Sequence, residues 1–208
     1  MRKKIIKWLI GIDDYLIKVI NTLAIKEEGG IHPKHRLTKY HNFFVNNIGG
    51  KDRVLDIGCG NGYVANSAAK KAGYVLGIDI SRKSILKARR QFRRKNLKFV
   101  LGDATKYPFT KKWDAIILSN VLEHIKERKV FLKKIKRLAD KILIRVPMIN
   151  RDWLVLYKKQ LGIFYFSDQT HYIEYTRASF FEEMQTAGLK IKSYSVQFGE
   201  IWAVIEKS

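Results

Sequence analysis

The sequence predicts an α/β protein built on a mostly parallel sheet, and three observations carry that expectation. The apolar run Val54-Leu55-Asp56-Ile57 ends in glycines at alternate positions, Gly58, Gly60 and Gly62, before a helix-compatible stretch. That order reads as strand, tight turn, helix. Short β-branched runs then alternate with amphipathic stretches as far as residue 146, the rhythm of parallel strands joined by right-handed crossovers. Finally, 208 residues of which 46% are hydrophobic can bury the core of one such domain with an appendage, but not of two large ones.

Taken in order, residues 1–26 carry apolar side chains at Ile5, Trp8, Leu9, Ile12, Leu16, Val19, Ile20 and Leu23. Steps of three and four predict one amphipathic helix, or two shorter ones if Gly11 breaks it. Such a helix packs on the domain or a second subunit, or lies through its lysines on an anionic membrane surface. Glu27-Glu28-Gly29-Gly30 reads as a hinge, separating a helical extension (1–30) from the main domain (31–208). A helix is expected over 35–48, strands over 53–57, 74–80, 97–101, 114–119 and 142–146, and intervening helices over 61–72, 82–95 and 130–139. Pro147 stops the fifth strand. Residues 147–175 interrupt the rhythm and crowd Trp153, Tyr157, Phe164, Tyr165, Phe166, Tyr172 and Tyr175 into one segment, suited to line an acceptor pocket or cover the sheet. Thr176 then caps a helix over 177–187 that Gly188 ends. Strands over 189–197 and 200–206 close the chain.

The glycine spacing narrows the function. A dinucleotide turn, Gly-x-Gly-x-x-Gly, would need its third glycine at Tyr63. What stands there is Asp-x-Gly-x-Gly-x-Gly, starting at Asp56, and the stretch Val54-Leu55-Asp56-Ile57-Gly58-Cys59-Gly60-Asn61-Gly62 resembles motif I of the class I S-adenosylmethionine-dependent methyltransferases. The resemblance covers roughly residues 35–206. It implies a Rossmann-like sheet of seven strands with helices on both faces and the last strand antiparallel. It also implies S-adenosylmethionine as cofactor, S-adenosylhomocysteine as product, and a loop of Asp56, Gly58, Cys59, Gly60 and Gly62 around the methionine end, with Arg36 or Tyr40 reaching the same end.

Two acids fit the remainder of such a cofactor. Asp79, with Ile80 beside it, closes the second strand, where a carboxylate can accept from both hydroxyls of a ribose. Gly102-Asp103-Ala104 after the third strand resembles the adenine-contacting motif, which assigns the ring to Asp103 and Ala104. After the fourth strand, Ser119-Asn120-Val121-Leu122-Glu123-His124 resembles the equivalent stretch of methyltransferases acting on small molecules, quinones and sugars. There Asn120 would offer its carbonyl to the cofactor's amino group, and His124 would act as general base or orient the loop. His171, just before the helix at 177, is the second base candidate. His32, His35 and His41 lack cysteine or carboxylate partners at ligand spacing, so no metal site is expected.

Absences discriminate among acceptors. No Asn-Pro-Pro-Tyr or Asp-Pro-Pro-Tyr follows the fourth strand, and Cys59 is the one cysteine, which argues against nucleobase amino methylation and cytosine C5 chemistry. A lone cysteine also excludes an internal disulfide and suits a reducing, cytoplasmic setting. The formal charge of +22 draws the chain toward nucleic acid, anionic lipid or acidic glycans. No run of 18 apolar residues occurs, and Asp13 and Asp14 interrupt the N-terminal apolar stretch, so neither a membrane span nor a signal peptide is expected. The leading expectation is therefore methyl transfer, oxygen favoured, to a small-molecule, glycan or lipid-linked acceptor, in the cytoplasm or at the inner membrane face. The alternatives are RNA methylation guided by the basic surface, and a non-catalytic membrane-surface protein that keeps the fold.

Overall fold

The computed structural model describes residues 1–207. Seven strands form one sheet: β1 (Arg53–Ile57), β2 (Tyr74–Asp79), β3 (Leu97–Leu101), β4 (Trp113–Ser119), β5 (Ala139–Pro147), β6 (Leu189–Gln197) and β7 (Glu200–Lys207). Their order is β3-β2-β1-β4-β5-β7-β6, and the first five run parallel. β7 enters antiparallel between β5 and β6, because only a short turn joins β6 to β7 and a hairpin can pair no other way. The seven strands and the reversed last one match the expectation.

Both faces of the sheet are buried, so the strands alternate between two apolar cores rather than between core and water. Leu55, Ile57, Ile116, Leu118, Ile142 and Ile144 point to one core, against α6 (Arg128–Ile135) and α8 (Arg177–Thr186). Their neighbours Val54, Ala115, Ile117 and Leu143 point to the other, against α3 (Tyr40–Asn46), α4 (Tyr63–Ala69) and α5 (Arg82–Gln91). Ser81 caps α5 by accepting from the Ser84 N–H at 3.2 Å. Thr176 caps α8 in a reciprocal box with Ser179, as the sequence suggested.

Several boundaries differ from the sequence expectation for identifiable reasons. The helix expected over 35–48 is two, α2 (Lys34–Thr38) and α3, because Lys39 takes a left-handed conformation at φ 51°. α4 starts at Tyr63 rather than 61 because Gly62 sits at φ 82°, outside helical space. α5 ends at Gln91 because Phe92 is extended, and its ring packs edge-on to Tyr63 at 5.4 Å. Within 147–175 a further helix, α7 (Trp153–Gln160), begins at the Asp152 cap, and the segment is pinned at its ends by a bridge between Met148 and Tyr175.

The N-terminal helix α1 (Arg2–Glu27) is continuous through Gly11. It meets the remainder of the chain on a narrow face, with Ile10 buried and Asp14 paired to Lys158 of α7. The apolar stripe legible in the sequence points elsewhere: Ile5, Trp8, Leu9, Ile12, Leu16, Ile20 and Leu23 are all exposed. Among the described residues no helix is long and apolar enough to cross a membrane.

Gly62 tests the turn on which the domain is built. A Cβ there would lie 2.7 Å from the Phe99 ring and 3.0 Å from Ala88 Cβ, on a backbone that L residues rarely adopt. Gly62→Ala is expected to lower the free energy of unfolding by about 1–3 kcal/mol, read from urea denaturation. An unchanged midpoint would show that the turn relaxes without cost.

Candidate active site

The C-terminal edge of the parallel strands holds two cavities that share Gly58 and Asn120 in their walls. The larger, about 750 Å³, runs past Asp79 and Ile80 at the end of β2 and Gly102-Asp103-Ala104 after β3 to His124 and Tyr172. The smaller, about 400 Å³, is lined by Asp56, Cys59, Tyr40, His35 and Arg145, and is roofed by Ile25, Gly30 and Ile31 where α1 meets the domain. Together they form a crevice across the ends of β1, β2 and β4, at the point where the strand order turns back.

The glycine turn brings bare backbone to this crevice. Gly58 and Gly60 have φ values of 66° and 51°, and both the Gly58 and Cys59 N–H groups donate to the Ile78 carbonyl, binding the turn to β2. A Cβ on Gly60 would meet no atom within 4 Å. Gly58 lines both cavities, whereas Gly60 and Gly62 line neither; Gly62 faces Phe99 and Ala88, so its part is to shape the turn. Cys59 lines the smaller cavity, and burial pushes its thiol well above the ordinary range, which keeps it protonated and a poor nucleophile.

Asp79 is held by the loop it serves. Its Oδ2 accepts from the Gly60 N–H at 2.8 Å and its Oδ1 from the Ser81 N–H at 2.7 Å. Each oxygen keeps a lone pair for a further donor. Asp103 uses one oxygen only, Oδ1, which accepts from the Thr105 N–H at 2.9 Å and its hydroxyl at 2.6 Å. Those bonds, the hydroxyl first, hold its carboxyl below the usual range and leave Oδ2 for a ligand. Ile80 stands beside Asp79 with 73% of its surface exposed, an apolar plate at the cavity wall.

Two acids in this region are buried without partners. Asp56 Oδ2 has no hydrogen bond, and burial, then the nearby Asp79 charge, push the Asp56 carboxyl up to about 8. Both oxygens of Glu123 lack partners, and burial raises that carboxyl to about 8 as well. Asn120, at φ 56°, also keeps its Oδ1 buried and unpaired. Orphaned acceptors around a glycine cradle, with carboxylates at the ends of β1, β2 and β3, fit a ligand carrying a cationic amine, a vicinal diol and an amino-substituted ring. S-adenosylmethionine has all three.

His124 and His171 come together at one end of the larger cavity, ring centroids 4.6 Å apart. Burial first, and then His171, depress the His124 pKa. Behind His171 lies Glu174, which accepts from His171 Nδ1 at 3.0 Å and from the Ser167 N–H and hydroxyl, and pairs with Arg151. Burial works to raise the Glu174 carboxyl, but the bonds from His171 and Ser167 outweigh it and hold it below the ordinary value. Of the aromatics in 147–175, Tyr172 reaches the cavity wall, while Trp153 and Phe164 are exposed away from it.

Sequence reasoning missed Arg145. It rises near the C-terminal end of β5 into the smaller cavity, forms a two-point ion pair with Glu200, and stacks its guanidinium 3.8 Å from the Tyr40 ring centre. A lone charge inside Ile142-Leu143-Ile144-Arg145-Val146 was the available signal. Tyr40 does line that cavity, whereas Arg36 does not, being exposed and paired with Glu28. His35 and His41 bind each other at 2.9 Å, and burial depresses both to about 4, so they form a neutral, hydrogen-bonded pair.

Comparison with known proteins agrees with this geometry. Residues 55–141 match the family model described as a methyltransferase domain. A ubiquinone biosynthesis O-methyltransferase of Glaesserella parasuis is 31% identical over 137 residues, covering 60% of this chain and 58% of that protein. A probable (S)-tetrahydroprotoberberine N-methyltransferase of Papaver bracteatum is 36% identical over 87 residues, 39% of this chain and 24% of that protein. The chain thus spans 24% and 58% of the lengths of these two relatives. Magnesium protoporphyrin IX methyltransferase from Synechocystis, solved with bound S-adenosylhomocysteine, shares the fold with a TM-score of 0.65 at 22% identity, over 84% of this chain and 83% of that one. Motif, sheet order and family model converge: residues 55–141 carry a methyltransferase domain on a Rossmann-like methyltransferase fold.

Proposed function

We propose that this protein transfers a methyl group from S-adenosylmethionine to an oxygen of a small, largely apolar or lipid-linked acceptor. The observation that carries the reading is Asp79, whose carboxylate is fixed by the Gly60 and Ser81 N–H groups at the wall of a cavity that also holds Asp103. The cofactor supplies an electrophilic methyl on sulfonium, which an acceptor takes by in-line displacement, leaving S-adenosylhomocysteine.

The chain's own residues bind and align. Asp79 accepts from the ribose hydroxyls, Asp103 and the Ala104 backbone meet the adenine, and Ile80 lies against the ring. Asp56, Gly58, Cys59, Gly60 and the Asn120 carbonyl surround the methionine end, with Gly62 shaping their turn. His124 and His171 face the acceptor side and offer ring lone pairs to an acceptor hydroxyl. Methyl transfer from a sulfonium depends chiefly on alignment, so a weak base suffices. Small-molecule methylation also suits the relatives named above, and the aromatic wall at Tyr172 suits an apolar acceptor.

The outward face of α1 supports a membrane-borne acceptor. Seven large apolar side chains, Trp8 among them, are exposed along one side of a helix that also carries Lys3, Lys4, Lys7 and Lys18. An apolar face carrying Trp, with lysines largely on the opposite face, is the pattern of a helix lying in an anionic lipid surface. A second copy of the chain is a poorer cover, since each copy brings a formal charge of +22.

Calorimetric titration is expected to show micromolar binding of S-adenosylhomocysteine, weakened about 10–100-fold by Asp79→Ala. Absence of binding by the intact protein ends the reading. A pH dependence follows from Asp56: its raised pKa means the free protein holds a proton there up to about pH 8, which a cationic amine must displace. Affinity should climb from pH 6 to 8, and titrations in buffers of different ionisation enthalpy should show proton release at pH 7 that Asp56→Asn removes. For the membrane, the protein should sediment with phosphatidylglycerol vesicles at low salt, and Trp8→Glu with Leu16→Glu should abolish this. Equal binding by the double variant would mean that surface charge alone is responsible.

A further inference from the structure

Glu123 is the least explained side chain in the protein. It sits in the single turn of 3-10 helix, Leu122–His124, that follows β4, with none of its surface exposed. Neither carboxylate oxygen has a hydrogen-bond partner, while its backbone carbonyl accepts from the Tyr172 N–H at 2.8 Å. A carboxyl in that position has lost water and gained nothing, a cost of several kcal/mol if it is ionised. Of the other buried acids, Asp56 keeps one unpartnered oxygen in the glycine cradle, while Glu174 is held by Arg151, Ser167 and His171, and Glu183 by Arg128 and the Tyr175 hydroxyl.

Two imidazoles stand next to this carboxyl, and their hydrogen-bond networks fix which nitrogen each leaves free. His124 Nδ1 lies 2.8 Å from the Thr170 hydroxyl, which in turn lies 2.6 Å from Asp168 Oδ1. An ionised carboxylate can only accept, so the hydroxyl proton goes to Asp168 and the ring must donate from Nδ1. His171 Nδ1 likewise donates to Glu174 Oε1 at 3.0 Å. Both rings are therefore held as Nδ1–H tautomers with an unshared pair on Nε2. Backing each imidazole with a carboxylate, directly or through a hydroxyl, is how proteins orient and enrich histidines that bind metal.

One ligand atom each from Glu123, His124 and His171 lie within 4.8 Å of one another. Bonds of about 2.1 Å in a tetrahedral site put ligand atoms about 3.4 Å apart, so small side-chain rotations close the set. Of the three, His124 also lines the larger cavity, together with Tyr172, which puts the cluster at that cavity's end.

We propose that Glu123, His124 and His171 form a site for one divalent first-row transition metal ion, of the Mn2+ to Zn2+ series. Two imidazoles with one carboxylate favour these ions over Mg2+ or Ca2+, which prefer oxygen throughout. The sequence offered no metal site because its histidines were judged by local spacing, and His171 is brought to Glu123 by the return of the 148–175 segment. Binding of the ion is independent of any methyl transfer. Its use rests on the methyltransferase reading: an acceptor hydroxyl on the ion sheds its proton to water, its oxygen bonds to the methyl carbon, and the carbon–sulfur pair leaves on sulfur.

The test is titration of the full-length, metal-stripped protein with Co2+, followed by visible d–d absorption, and with Zn2+ by calorimetry. One equivalent per chain at micromolar affinity is expected. Glu123→Ala and His171→Ala should each weaken it at least tenfold, and Asp168→Asn, which disturbs only the support of Thr170, by a smaller factor. Circular dichroism and S-adenosylhomocysteine binding by Glu123→Ala show whether the variant is folded. Should it be unfolded, Glu123→Gln, which keeps the shape and loses the charge, replaces it. Sub-stoichiometric or millimolar binding by the wild type, or wild-type affinity in folded Glu123 and His171 variants, overturns the proposal. Metal binding without S-adenosylhomocysteine binding would instead leave the site standing and end the methyltransferase reading.

Discussion

Strands β1 and β4 lie side by side and run in the same direction, yet the chain leaves β1 for one face of the sheet and β4 for the other. The two connections therefore part at the C-terminal edge, and nothing in the backbone fills the gap between them. Every residue of the crevice is placed by this divergence. The glycine turn after β1 and Asn120 after β4 form its walls. β2, paired to β1, carries Asp79 to within hydrogen-bond reach of Gly60.

Among the described residues, every buried side-chain oxygen without a partner lies around that gap. Asp56, Asn120 and Glu123 keep unpaired oxygens there, each costing about 1–3 kcal/mol as neutral groups and more when charged. Buried charge, by contrast, is matched even beside the crevice: Arg145 with Glu200, Arg128 with Glu183, Arg151 with Glu174. Cores on both faces of the sheet are wholly apolar and large enough to carry the deficit. Groups that bind at these positions satisfy acceptors already held in place, so the free energy recovered goes into affinity rather than into ordering the site.

Legibility followed the range of the interaction. The place of Asp79 at the cavity wall was legible because one helix and one strand set its distance from the glycine turn, a local quantity, and that of Asp103 through the family resemblance. The antiparallel return of β7 was readable only through the family resemblance. Lys39 breaks a helix that its neighbours favour, since lysine carries no signal for a left-handed backbone. The stripe on α1 was legible as a period of three and four, but periodicity does not say what an apolar face meets. Glu123 looked like an ordinary member of the His124 turn. Its isolation arises when Tyr172, far along the chain, hydrogen-bonds to its carbonyl and the 148–175 segment shuts out water.

The placement of α1 has a mechanical side. It is 26 residues long, about 39 Å, and its C-terminal end supplies Ile25 to the smaller cavity, just before glycines 29 and 30 at φ 65° and 90°. A helix of that length, ending at two glycines beside the wall of the crevice, has the proportions of a lever. Tilting it by about ten degrees sweeps the distant tip through about 7 Å while Ile25 shifts by less than the width of an atom. By those proportions a grip on the far half of the helix would reach the cavity of Tyr40 and Arg145 only at fine gearing.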